Sequence, residues 1–148
     1  MKRYLPFILI LVMVAIIIGS SLISGPSSYG SSRNVAIFIN KVLHILGEPE
    51  NTVTTIDMII RKLAHFMEYL VLTILLSIGF SNALKKQGWA FLTSAITAGF
   101  ISLVDEAFIQ AISGRNSSLF DIMVDFSGIG AGLIIFALML WLNVKTKR

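Results

Sequence analysis

The stretch "RKLAHFMEYLVLTILLSIGF", residues 61–80, combines the two properties that decide the fold of this chain. Its second half is apolar enough to belong to a membrane helix, which needs about 20 predominantly apolar residues. Its first half carries Arg61, Lys62, His65 and Glu68, residue types that such a helix normally excludes. The stretch therefore predicts a membrane helix that enters the bilayer with a polar face.

The composition of the whole chain is that of a membrane protein. Of its 148 residues, 55% are hydrophobic and 14% are charged, whereas soluble domains contain about 25% charged residues. The absence of cysteine excludes disulfides, thiol catalysis and cysteine-bound metal. The net charge of +4 comes from bases at the ends of apolar segments, so it indicates no nucleic-acid partner.

Apolar runs predict an all-α fold, a polytopic membrane protein with one domain over residues 1–148. The four predicted spans are residues 4–24, 63–84, 89–112 and 119–143. A cleaved signal peptide is an alternative for the first run, because "MKR" is a basic start and Gly19-Ser20-Ser21 has the small residues of a cleavage site. Residues 35–46 place apolar side chains on one helical face, which predicts a short amphipathic helix in the first outer loop.

The bases near the span ends predict a plasma-membrane protein with both termini in the cytoplasm, since cytoplasmic loops are enriched in lysine and arginine. These bases are Lys2, Arg3, Lys85, Lys86, Lys145, Lys147 and Arg148. Tyr4, Trp89 and Trp141 fall at the same interface, where aromatic residues are enriched. Arg61 and Lys62, at the outer end of the second span, are the opposing observation.

Five of the eight acidic residues fall inside predicted spans: Glu68, Asp105, Glu106, Asp121 and Asp125. At 1.5 Å per residue, they lie about 3 to 11 Å below the outer ends of their spans. A charge at the bilayer centre costs about 2.5–3.5 kcal/mol, so we expect these acids to face inward and to pair or line a wet cavity. With Arg61, Lys62 and Arg115 as partners, two negative charges remain in excess, and protons or a bound cation would balance them.

The polar side chains at this depth are the candidate ligand-binding residues: Lys62, His65, Glu68, Tyr69, Asp105, Glu106, Gln110, Arg115, Asp121 and Asp125. Of these, His65, Glu68, Asp105 and Glu106 are also candidates for catalytic proton transfer. The structural alternative is that they only hold the helices together. Ser118 is expected to cap the fourth span. Gly128 and Gly132 have the small-xxx-small spacing that lets helices approach closely, and this stripe offers a contact between copies in an oligomer.

Two blocks of the sequence resemble the VanZ-like family. "RKLAHFMEY" is similar to its K-x-x-H-F-x-E-Y motif, and "DEAFIQAISGRNSSLFDIMVDFSGIGAG", residues 105–132, resembles its second block of D-E, G-R and D-x-x-x-N-x-x-G. Asp125 stands where that pattern usually has Asn, and the serines at 20, 21, 24, 27 and 28 resemble a serine-rich stretch after the family's first span. The resemblance implies a small bacterial membrane protein connected with low-level resistance to the glycopeptide teicoplanin. It implies no established reaction.

The residues leave three hypotheses of function. In the leading one, the polar site in the outer leaflet binds an envelope lipid, a lipid-linked ligand or another amphipathic molecule, with Lys62, Arg115 and the start of the fourth span meeting an anionic group. The second is an intramembrane hydrolase or transferase acting on lipid-linked substrates, in which carboxylates with one histidine would suit Mg²⁺ or Mn²⁺. The third is a small proton-coupled exporter. Membrane lipids are the expected partners, and the sequence assigns no cofactor and no resident metal site.

Overall fold

The computed structural model describes residues 4–23, 31–46, 53–84, 86–109 and 118–146, and these contain helices and no strand. The all-α prediction is therefore confirmed. The helices are α1 (Leu5–Ile23), α2 (Ser31–Ile45), α3 (Val53–Leu84), α4 (Gln87–Val104) and α5 (Leu119–Thr146). The end of α4 continues into a π-helical segment, Asp105–Ile109.

Four helices have the length and apolar composition to cross a membrane, as the sequence predicts: α1, α3, α4 with its π-helical continuation, and α5. Their outward faces carry exposed aliphatic side chains, such as Leu11, Ile96 and Ile134, which are 71%, 62% and 63% exposed. A soluble protein rarely exposes apolar surface of this extent. The fold is that of a polytopic membrane protein.

The long helix α3 is the centre of the bundle and packs against α1, α2, α4 and α5. Its 32 residues extend over about 48 Å, whereas the hydrocarbon core is about 30 Å thick. The predicted span begins ten residues later, near Leu63, because polar residues mark the edge of the apolar run but do not end a helix. The first turns of α3 carry an ion pair between Arg61 and Asp57 at 3.1 Å.

The core of the bundle lies along one face of α3. Tyr69, Leu72 and Leu76 are buried there against Ile17 of α1 and Ile129 of α5. Ile17 is completely buried, so α1 is an integral wall of the bundle.

Two glycines bring α5 into backbone contact with α3. A Cβ atom at Gly128 would lie 2.4 Å from the carbonyl oxygen of Phe66, and one at Gly132 would lie 2.7 Å from that of Leu70. Both distances are shorter than any real contact, so only glycine allows this approach. The stripe that the sequence offered as a contact between copies thus packs inside the chain.

The amphipathic helix is present as α2 and starts a few residues earlier than predicted. It packs on α3 with Ala36 completely buried, while Phe38 and Leu46 of its predicted apolar face are 67% and 73% exposed. This arrangement leaves the apolar face of α2 directed away from the bundle, as in a helix that lies in a membrane interface.

Candidate functional site

Polar side chains from two helices and the π-helical segment meet inside the bundle, next to the apolar core. We call this set the acidic cluster; its members are His65, Glu68 and Tyr69 of α3, Asp105 and Glu106 of the π-helical segment, and Asp125 of α5. Tyr69, Asp105, Glu106 and Asp125 are each at most 2% exposed. The three acid-bearing spans of the sequence therefore deliver four of their five acids to one buried place.

His65 lies between two carboxylates from different helices. Its Nδ1 atom is 3.9 Å from Oε2 of Glu68 and 3.8 Å from Oδ1 of Asp125. Both distances are too long for a direct hydrogen bond, but they are short enough for an ion pair when the imidazole is protonated. A histidine positioned between two carboxylates can accept a proton from one and donate it to the other.

Asp125 is held by a serine of the neighbouring helix. The hydroxyl of Ser102 in α4 donates to Oδ2 of Asp125 at 2.8 Å, and both residues are buried. This hydrogen bond satisfies one oxygen of the carboxylate and fixes the side chain between α4 and α5, which stabilises a group that burial otherwise penalises.

The first helix contributes two serines to the cluster. The Ser21 hydroxyl donates to Oδ2 of Asp105 at 2.8 Å in a buried contact. Ser20 lies 3.4 Å from Oε2 of Glu68, but its hydroxyl is closer to the carbonyl oxygen of Ile17 in its own helix, at 2.9 Å. A hydroxyl has one proton, and Ser20 places it within hydrogen-bond distance of both acceptors.

The π-helical segment explains how two adjacent acids are both buried. A π-helical turn is wider than an α-helical one and is frequent at functional sites. Asp105 reaches α1, while Glu106 accepts a hydrogen bond from the backbone N–H of Ser118 at 2.8 Å. The two neighbouring carboxylates therefore point in different directions.

The beginning of α5 is capped from two sides. The Ser118 hydroxyl accepts the N–H of Phe120 at 3.1 Å, which confirms the predicted N-cap. Glu106 accepts the N–H of Ser118 itself. Glu106 therefore has a structural role in addition to its candidate role in the site.

The bases at the outer end of α3 do not share one function. The Lys62 ammonium donates to Asp121 and lies 4.4 Å from the centre of the Phe120 ring. Lys62 and Asp121 thus form a partly exposed rim beside the cluster. Arg61, which the sequence-based charge balance set against the intramembrane acids, turns instead to Asp57 one helical turn away.

Tyr69 is the least accessible polar member of the cluster. Its side chain is 0% exposed, and its hydroxyl has no hydrogen-bond partner within the described ranges. The charges of Glu68, Asp105, Glu106 and Asp125 all act on this hydroxyl. A buried hydroxyl surrounded by charge but without a hydrogen bond is unusual in proteins.

Two candidates, Gln110 and Arg115, lie outside the described residues. Within the part of the chain that the structure describes, no three His, Asp or Glu side chains come close enough together to hold a metal ion. The Mg²⁺ or Mn²⁺ site of the enzyme hypothesis therefore has no support from the described side chains.

Sequence reasoning missed the serines of the site, Ser21 and Ser102. The available signal was their position, since Ser21 lies near the outer end of the first span and Ser102 lies one turn before Asp105. A serine in a membrane helix can also donate to a backbone carbonyl of its own helix, as Ser94 does to Ala90. Position alone therefore does not separate the two uses.

Comparison with known proteins identifies the family. The family model described as VanZ/LLP1 matches residues 6–140, a range that contains the whole acidic cluster. No curated protein and no solved structure shows a significant match. The match covers nearly the entire chain and agrees with the two sequence blocks that form the cluster, so this chain belongs to the VanZ/LLP1 family.

Proposed function

We propose that this VanZ/LLP1 protein is a membrane protein of the bacterial cell envelope whose acidic cluster and rim bind the headgroup of an envelope lipid or another amphipathic ligand. The single observation that carries the proposal is the cluster itself. Three helical elements place acids, an imidazole and a tyrosine in one largely buried site, while the other described buried side chains are apolar or neutral hydroxyls.

The cost of such a cluster favours a function beyond packing. A charge inside the membrane is costly, by about 2.5–3.5 kcal/mol at the bilayer centre, and backbone contact at Gly128 and Gly132 already joins α3 to α5. Helix association would need fewer ionisable groups than the cluster contains. Intramembrane ionisable residues of this kind commonly mark binding sites or proton pathways.

The proposed location is the outer leaflet of the plasma membrane, with the termini in the cytoplasm. The distribution of lysine and arginine near the span ends supports this orientation. The exposed aromatic side chains Tyr4, Trp89 and Trp141 support it too, because topology places them at the interface opposite the cluster.

A contribution to teicoplanin resistance is part of the proposal and rests on the family. The VanZ-like family is connected with low-level resistance to this drug, whose target is a lipid-linked peptidoglycan precursor. A site in the outer leaflet would meet either the precursor or the amphipathic drug. Lys62 at the rim and Arg115, predicted nearby, would meet an anionic part of such a ligand.

The test uses His65→Ala, Glu106→Gln and Arg115→Ala at matched abundance in the membrane. Glu106→Gln keeps an oxygen that accepts the Ser118 N–H, so it removes charge without removing the helix cap. We expect each variant to lose ligand binding and to alter teicoplanin susceptibility, while Asp57→Asn, an acid-to-amide change outside the cluster, behaves as wild type. Wild-type behaviour of all three site variants would overturn the proposal.

An intramembrane acid–base enzyme is the second candidate, favoured by the position of His65 between Glu68 and Asp125. In that reaction the imidazole would take the proton of an attacking group, and one carboxylate would stabilise the imidazolium. Turnover of a lipid-linked precursor by the purified protein, abolished by His65→Ala, distinguishes it from binding. The exporter hypothesis ranks last. It requires an acid that can be reached from both faces of the membrane, whereas the described acids within the spans all lie in the half proposed to be the outer one.

A further inference from the structure

Resting on the proposed binding site, we infer that the ligand is a lipid with a primary ammonium headgroup. Its ammonium would lie among the carboxylates of the acidic cluster, in reach of the Tyr69 hydroxyl. Its alkyl chain would lie in a groove between α1 and α4 that adjoins Asp105.

The Tyr69 hydroxyl is the observation that points to a ligand. It is buried at 0% exposure, it has no hydrogen-bond partner among the described residues, and four carboxylates act on it electrostatically. Its oxygen is an acceptor in a site where the other strong acceptors are carboxylate oxygens. A group that donates several hydrogen bonds at once satisfies this set, and an ammonium has three donors and no acceptor.

The sign of the charge favours an ammonium over a phosphate. Glu68 and Asp125 share a single imidazole, and the second partner of Asp125 is the neutral Ser102 hydroxyl. When Glu68 and Asp125 are both ionised, one protonated imidazole leaves them a net negative charge. Asp105 lies close enough to act on both. A phosphate placed here would be repelled, whereas an ammonium would be attracted.

A groove beside the cluster supplies a place for the chain. It has a volume of about 130 Å³, and its lining is Val14, Ile18, Phe100, Ile101, Val104 and Asp105. All but Asp105 are apolar. Phe100 is 65% exposed, so the groove opens on the surface of the bundle that faces the lipid chains of the membrane. Asp105 belongs to both the groove and the cluster, so an apolar chain in the groove would bring an ammonium head to the edge of the cluster.

The experiment measures binding of three lysolipids with the same acyl chain to the purified full-length protein in detergent, by native mass spectrometry. The probes are lysophosphatidylethanolamine, its N-acetyl derivative and lysophosphatidylglycerol. We expect the free amine to bind more tightly than the other two by about tenfold or more, the usual effect of losing a charge-assisted hydrogen bond. Water-soluble phosphoethanolamine, which lacks the chain, is expected to bind more weakly by at least the same factor.

The outcomes separate this inference from the proposed function. Equal binding of the three lysolipids, or preference for lysophosphatidylglycerol, overturns the ammonium assignment and leaves a headgroup site in place. Equal binding of phosphoethanolamine and lysophosphatidylethanolamine overturns the groove assignment. If no lysolipid binds, this inference fails, and the proposed function is decided by the teicoplanin susceptibility of the His65, Glu106 and Arg115 variants.

Variants test the residues, with folding followed by circular dichroism. Glu68→Gln and Asp125→Asn should each weaken binding of lysophosphatidylethanolamine by about tenfold. Neither should weaken binding of lysophosphatidylglycerol, because each removes a negative charge that repels its phosphate. Tyr69→Phe removes only the hydroxyl and should weaken the same probe severalfold. The matched controls are Asp57→Asn and Tyr4→Phe, which lie outside the cluster and should bind as wild type. Folded variants with wild-type preference for the amine would overturn the inference.

Discussion

Asp125 illustrates how a single residue is kept inside this bundle. Its carboxylate accepts a hydrogen bond from Ser102 and faces His65, and it is 1% exposed. The neutral hydroxyl satisfies one carboxylate oxygen but does not cancel the charge. Part of the free-energy cost of burying that charge therefore remains. Its position is one where the family pattern usually has Asn, an isostere without the charge.

The Asp125→Asn variant should therefore have a free energy of unfolding that is no more than about 1 kcal/mol below that of wild type. The amide oxygen can still accept the Ser102 hydroxyl, and a buried charge is removed. Unfolding in mixed detergent micelles measures the difference, with Asp57→Asn as the control for an acid-to-amide change outside the cluster. A loss of more than about 2 kcal/mol would show that the charge itself stabilises the fold.

Ser21→Ala should destabilise the protein by about 1–3 kcal/mol, because it removes the buried donor to Asp105 and leaves that carboxylate oxygen without it. Ser127→Ala is the matched control, since the exposed Ser127 donates to the Val124 carbonyl of its own helix. It should change the unfolding free energy by less than about 0.5 kcal/mol. Equal effects of the two changes would contradict the structural role of Ser21.

At the level of helices, the contact of α3 with α5 is the most constrained part of the structure. Gly128→Ala and Gly132→Ala each place a methyl group against a backbone carbonyl, which cannot move aside as a side chain can. Each should cost about 2 kcal/mol or more. Gly130→Ala is the control on the same helix, because a Cβ there has no neighbour within 4 Å among the described atoms.

Thermal unfolding of the three glycine variants in one detergent checks this prediction. Gly130→Ala should be neutral or slightly stabilising, because alanine is the better helix former. If all three variants unfolded alike, the close approach of α5 to α3 would not be a feature of the folded protein.

The same helices show what the sequence could predict. Long apolar runs identify all four spans, and the amphipathic pattern of residues 35–46 identifies α2. The π-helical turn at Asp105–Ile109 was not predicted, since five residues are too few to show a period different from that of an α-helix. The pairing of Ser21 with Asp105 was not predicted either, because it depends on how α1 is rotated against α4.

For the whole molecule, the prediction concerns which side of the membrane each loop faces. The chain has no cysteine, so a single introduced cysteine is the only one in the protein that can be labelled. Asn40→Cys in α2 should react with a membrane-impermeant maleimide in intact cells, and Gln87→Cys at the start of α4 should react only after the cells are opened. The reverse pattern would place the acidic cluster in the inner leaflet and would contradict the proposed orientation.

The groove between α1 and α4 has a consequence for how affinity should be expressed. A molecule that reaches the site through a face lined by Val14, Ile18 and Phe100 dissolves in the bilayer before it binds. Its occupancy is then set by its mole fraction in the membrane, and its concentration in water matters only through partitioning. Two compounds with identical contacts in the site would differ in apparent potency by the ratio of their partition coefficients, and adding inert lipid to an assay would weaken both by dilution.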